Sequence, residues 1–328
     1  MGDSKLVLVE EVSGWLRVYS DGSVDRTWTG HPAAAPLLEH VPPTRGAFVD
    51  GVATHDVILD ASSDVLLRLY LPETSGSEKL PVLLHFQGGG FCISRPTWLM
   101  YHAFYSRLVK SVPAVCVSVQ TRLAPEHRLP AAVHDCLSAL TWLHSSPDLL
   151  PPGVDLTRVF LIGDSSGGNL VHQVAALAGD VSPLRIAGAI PIHPGFVRST
   201  RSESEKKTEN ESPILTVEMV DKLLGMAVPE GSTKDHPIIC PMGPEAAPME
   251  EVELPPLMVV VAEKDLMKDT QMEYVEAVKG AGKEVEVLVN RGMMHCFYFN
   301  EMMVKADPKT GEETKRLVEG IVDFIRRH

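Results

Sequence analysis

No two cysteines of this chain stand in CxxC spacing; the five, Cys92, Cys116, Cys136, Cys240 and Cys296, are scattered and odd in number. That argues against a disulfide framework and a zinc site and reads as reduced thiols, so no metal and no cofactor is expected. No segment approaches the roughly 18 apolar residues that a membrane helix needs. The first residues, MGDSKLVLVEEVSGW, lack the basic start and long apolar stretch of a secretory signal, and the expectation is a cytoplasmic protein. Met1-Gly2 begins like a myristoylation signal, but Leu6 stands where Ser or Thr is wanted. Asn210-Glu211-Ser212 fits a glycosylation sequon that carries little weight without a secretory signal. Basic charge is scarce too: 43 acidic against 30 basic side chains give a formal charge of −13, which repels nucleic acid and anionic lipid alike. GxxxxGK[ST] is absent, and neither glycine cluster fits a dinucleotide fingerprint. A small molecule is left as the expected partner, bound by a monomer or weak homodimer.

What the chain has is material for a core. Hydrophobic residues make up 44% and charged residues 22% of its 328 positions, ordinary values for a globular protein. Short runs rich in β-branched residues recur: Pro81 to Phe86, Ala114 to Val119, Arg158 to Gly163, Ile186 to His193, Leu257 to Ala262 and Glu284 to Val289. Between them, Ala131 to Leu143 and Asn169 to Leu177 carry apolar residues three and four apart. The alternation predicts an α/β fold, a mostly parallel sheet with helices on both faces. Val57 to Leu59 and Val65 to Leu71 read as an antiparallel pair at one edge. Two stretches break the pattern, about 1–50 and 197–237. They are expected to fold together as a cap over the carboxyl ends of the strands, where open α/β sheets bind ligands, on a single domain spanning 1–328.

Gly163-Asp164-Ser165-Ser166-Gly167 follows the strand RVFLI and opens a helical stretch, the strand–turn–helix setting of a nucleophile elbow. A serine hydroxyl is a poor nucleophile at neutral pH and needs a histidine base oriented by a carboxylate. In this setting the acid follows the serine and the histidine comes last. After LMVVVA only His295 and the terminal His328 remain, so His295 is the candidate base. Asp265 stands just past the same strand and is the candidate acid, with Asp269 as fallback and Glu263 too close to the strand. Gly88-Gly89-Gly90 follows PVLLHF and can turn backbone N–H groups toward a developing alkoxide. The hole is assigned to Gly89, Gly90 and Ser166, with Gly88 shaping the turn. Phe91, Trp98, Met294 and Phe297 are candidates to line the substrate pocket.

Together these motifs resemble the plant carboxylesterase family, in the hormone-sensitive-lipase-like branch of the α/β-hydrolases. QGGGFC (87–92), RLAPEHRLPAA (122–132), VFLIGDSSGGNLVHQ (159–173), DHPIICPMGP (235–244) and AEKDLMKD (262–269) occur in the family's order and at about its spacings. The resemblance implies an α/β-hydrolase fold, no cofactor, and hydrolysis of small, short-acyl esters of plant metabolites. Two positions depart from it. Gln87 stands where the family has His, and Gln120-Thr121 where it has Asp-Tyr. A glutamine amide can donate and accept in that place, which leaves the hole formed with altered geometry or lower turnover. The family also includes gibberellin receptors, which have lost the catalytic histidine, and isoflavanone dehydratases with Thr at the nucleophile. Hormone binding and elimination or cyclisation chemistry are therefore the alternatives.

Overall fold

Side chains along the central strands divide cleanly between two layers. The computed structural model describes residues 6–60, 62, 65–74, 79–179, 184–207, 211–212 and 214–328. The first two residues and Asn210, where the acylation and glycosylation signals would fall, lie outside them. Strands β4 (Val52–Asp60), β5 (Val65–Pro72), β6 (Leu80–Phe86), β7 (Val115–Gln120), β8 (Val154–Asp164), β9 (Ile186–Ile192), β10 (Leu257–Ala262) and β11 (Val285–Asn290) form one eight-stranded sheet. Three shorter strands, β1 (Leu8–Val12), β2 (Leu16–Tyr19) and β3 (Val24–Asp25), make a separate antiparallel sheet.

The order β11-β10-β9-β8-β6-β7-β5-β4 is parallel from β11 to β7, and β4 and β5 complete it as the antiparallel edge pair that the sequence suggests. Successive strand residues point to opposite faces. Val159 and Leu161 of β8 therefore join one core, and Phe160 and Ile162 the other. Both cores are shielded because helices cover both faces. Helices α2 (Ala131–Ser145), α3 (Ser166–Leu177) and α5 (Lys268–Gly280) bury Leu140, Val171 and Val275 on the first. On the second, α1 (Leu99–Ser111) and the C-terminal α7 (Pro308–Arg327) bury Phe104, Leu108, Leu317 and Ile321. The α/β-hydrolase expectation holds in strand order and layering.

The chain reverses its direction of growth between β6 and β8, which lie side by side with Phe86 opposite Gly163. This switch point brings the loop after β6 and the turn after β8 together at the carboxyl ends. Above them pack the N-terminal segment and helix α4 (Val217–Ala227). Thr216 caps α4 by accepting the Met219 N–H at 3.2 Å. The two pieces are tied to each other: Trp15 Nε1 donates to the Ile214 carbonyl at 3.2 Å, and Lys222 Nζ to that of Glu11 at 2.9 Å. The Arg122–Ala132 motif anchors both to the main domain. Glu126 pairs with Arg26 at 2.6 Å, and Arg128 reaches the carbonyls of Gly225 and Val228 at the end of α4, at 3.0 and 2.7 Å.

Candidate active site

Ser165 sits between the last residue of β8 and the first of α3 with φ 51° and ψ −125°, a strained backbone for a residue with a Cβ. The strain is held in place by the neighbouring peptides. Ser165 donates its N–H to Ile192 at 3.0 Å, and its carbonyl accepts from Gly168 and Gly195 at 2.8 and 2.9 Å. A side chain at Gly167 would collide with the Phe86 carbonyl, so only glycine lets the elbow pack so close to β6.

His295 lies in the loop after β11, and its Nδ1 meets Asp265 Oδ2 at 2.6 Å. The parallel pairing of β10 with β11, with Ala262 opposite Asn290, makes these two loops neighbours. Asp265 is fully buried and fixed further by the Met267 N–H (2.9 Å) and Gln271 Nε2 (3.0 Å). Burial raises a carboxylic acid's pKa, but the facing imidazole and these hydrogen bonds outweigh it and hold Asp265 below the usual range. Burial likewise works against a charged His295, yet the Asp265 carboxylate and neighbouring Cys296 push its pKa well above the usual histidine value. His295 Nε2 is buried and has no hydrogen-bond partner among the described residues. It lines the same cavity as Ser165.

The other two carboxylates after β10 do different work. Glu263 accepts the Gly292 N–H at 2.6 Å and ties the two loops together. Asp269 accepts the Ser204 N–H at 2.7 Å, pinning a segment that precedes α4.

The glycine loop is built over a buried polar network. Gly88 donates its N–H to Asp164 Oδ2 at 3.0 Å, so that amide faces away from any substrate and Gly88 shapes the turn. Gly89 has φ 93°, and a Cβ there would strike the Ile93 carbonyl. Among the described residues no hydrogen bond takes the N–H of Gly89 or Gly90, and Ser166, first in α3, has no partner within its own helix. Ser166 Oγ accepts the Phe91 N–H at 3.3 Å and holds the loop against the elbow. Gln87 precedes the loop, donating to the Ser94 carbonyl at 3.2 Å while its Oε1 has no partner among the described residues.

Two histidines that sequence reading passed over support this site. His85, fully buried, joins Ser118 Oγ (2.6 Å) to Asp164 Oδ1 (3.0 Å). His193, at the end of β9, accepts the Cys296 N–H on Nδ1 at 2.9 Å and so props the loop that carries His295. Burial pushes the His193 pKa down to about 4, which keeps that nitrogen free to accept. Possible donor atoms of His193, His295 and Cys296 lie within 4.8 Å of one another. His295 Nδ1 is taken by Asp265 and His193 Nδ1 by the Cys296 N–H, contacts that support the loop carrying His295.

Phe91, Trp98, Met294 and Phe297 all line a cavity of about 770 Å3 above Ser165. Trp15, Leu37 and Leu38 from the N-terminal segment and Met219, Val220, Leu223 and Leu224 from α4 line it as well. The α4 residues could have been found from their spacing, which places them on one helical stripe. Gln120 and Thr121 are buried at the end of β7 and do not line the cavity.

Comparison with known proteins agrees with this architecture. A family model described as the alpha/beta hydrolase fold matches residues 83–299. Probable carboxylesterase 6 of Arabidopsis thaliana is 36% identical over 299 residues, covering 89% of this chain and 84% of its own. A gibberellin receptor of the same plant is 37% identical over 277 residues, covering 80% and 79%. The hyperthermophilic esterase of Pyrobaculum calidifontis superposes with a TM-score of 0.70 at 27% identity, over 87% of this chain and 85% of that one. The chain belongs to the α/β-hydrolase family, in the hormone-sensitive-lipase-like branch that holds plant carboxylesterases and gibberellin receptors.

Proposed function

We propose that this protein is a serine carboxylester hydrolase acting on a small-molecule ester without a cofactor. The observation that carries this reading is the buried Asp265–His295 pair at 2.6 Å, with His295 Nε2 unpartnered among the described residues and with His295 and Ser165 lining one cavity. In the first step Ser165 Oγ attacks the ester carbonyl carbon and passes its proton to His295 Nε2. Asp265 keeps the imidazole in the Nδ1–H tautomer and offsets the charge that forms on it. The carbonyl oxygen becomes an alkoxide facing the N–H groups of Gly89, Gly90 and Ser166, donors fixed before the reaction starts. Collapse breaks the bond to the alcohol oxygen, which leaves with the proton from His295. Water, deprotonated by the same nitrogen, then releases the acid and restores Ser165.

A binding-only role is favoured by the likeness to a gibberellin receptor. Against it stands the complete Ser165, Asp265 and His295 set. Elimination chemistry would use the same groups, but the family departures that raise it, Gln87, Gln120 and Thr121, lie outside the cavity lining. The test is hydrolysis of p-nitrophenyl acetate by the purified protein beside its Ser165→Ala variant. Turnover that the variant loses supports the reading; equal rates in both, or none in a folded wild type, overturn it.

A further inference from the structure

The cavity above Ser165 is larger and drier than a short ester of a hydrophilic alcohol requires. Its volume of about 770 Å3 lies in the range that encloses a drug-sized ligand. Trp15 and Trp98 form one wall, stacked with ring centroids 6.4 Å apart and planes 22° from parallel. From α4, Met219, Val220 and Leu223 add apolar lining. Met302 and Met303, 47% and 46% exposed, also belong to the lining, and their flexible thioethers adapt to irregular apolar shapes.

The polar groups of this lining are mostly engaged with the protein itself. Ser94 Oγ bonds Tyr101 at 3.0 Å, Asn300 caps the helix 301–306 through the Met303 N–H at 3.2 Å, and Thr310 Oγ1 donates to Asp307 at 2.6 Å. Asp164 is occupied by His85 and Gly88. Lys309 is exposed. A sugar hydroxyl or a charge drawn into this space would lose water and find few free partners, whereas hydrocarbon would gain contact on every side.

Building on the esterase reading, we infer that the substrate is a neutral ester with a bulky hydrocarbon or aromatic part, and not a glycosyl ester or a charged one. Two matched pairs test this, each holding the leaving group nearly constant: p-nitrophenyl acetate against octanoate, and phenyl acetate against 1-naphthyl acetate. A monoacetylated glucose serves as the polar comparator. For at least one pair the bulkier ester should show a kcat/KM roughly tenfold higher, given the apolar area it can bury, with the glucose ester the poorest of all. Val220→Trp in α4 and Leu38→Trp in the N-terminal segment each add bulk to the cavity lining, and each folded variant should cut that preference by about fivefold or more. Hydrolysis that depends on Ser165 but shows no preference for bulk, or favours the glucose ester, overturns the inference and leaves the esterase reading standing. Absence of hydrolysis of every ester overturns both.

Discussion

Asp164, the residue before the nucleophile, holds the N–H of Gly88 on one carboxylate oxygen at 3.0 Å and the ring of His85 on the other at 3.0 Å. The turn that presents Ser165 and the loop that presents the Gly89 and Gly90 amides are thus fastened by one buried side chain. Asp164→Asn replaces one of these two carboxylate oxygens by a donor, so that one of the two contacts is lost. Because the loop's amides bind charge that exists only in the transition state, kcat should fall by roughly 10- to 100-fold while KM changes little. Steady-state kinetics on p-nitrophenyl acetate check this; a rise in KM with unchanged kcat would place Asp164 in substrate binding instead.

The Asp265–His295 pair fixes the pH dependence. Only the neutral imidazole can take the Ser165 proton, so kcat/KM falls as pH drops through the His295 pKa. That pKa is raised, so the acidic limb should lie above the range of an ordinary histidine. Asp265→Asn removes the charge responsible. Its limb should move to lower pH while the plateau drops by roughly 10²- to 10⁴-fold. Profiles of kcat/KM against pH for the two proteins decide it, and a limb that does not move would remove Asp265 from the role.

Strain at Ser165 gives a stability prediction opposite in sign to its effect on activity. A glycine adopts φ 51° and ψ −125° at little cost, so Ser165→Gly should stabilise the fold by about 1 kcal/mol while abolishing hydrolysis. Denaturant unfolding checks it, and a lower midpoint would contradict the strain argument.

Position in the sheet separates two leucines. Leu161 in β8 is fully buried, and Leu161→Ala should cost about 2 to 5 kcal/mol. Leu177 at the end of α3 is 59% exposed, and Leu177→Ala should change stability by about 0.5 kcal/mol or less. Unfolding curves of the two variants make the comparison.

Most of the parallel strands are legible in the sequence because they are short apolar runs bounded by turns, with β6, β7 and β10 buried along their whole length. The elbow is legible because it needs glycine at fixed positions next to a strand. Sorting Asp265 from Glu263 and Asp269 is harder: all three follow one strand, and their separate partners are His295 and Gly292 in the loop after β11 and Ser204 in a distant segment. His85 escapes the sequence altogether. A histidine inside an apolar strand looks like any core residue until β7 and β8 bring Ser118 and Asp164 to its two nitrogens. The large cavity is equally hidden, since Trp15 and Leu223, more than 200 positions apart, meet only when the N-terminal segment folds onto α4.

That Ser165 is a nucleophile activated by His295 is tested most directly by intact-protein mass spectrometry after treatment with a fluorophosphonate. One adduct per chain is expected, mapped by peptide analysis to Ser165, absent from Ser165→Ala and formed far more slowly in His295→Ala. A folded wild-type protein that stays unmodified, or is labelled at another residue, would contradict it.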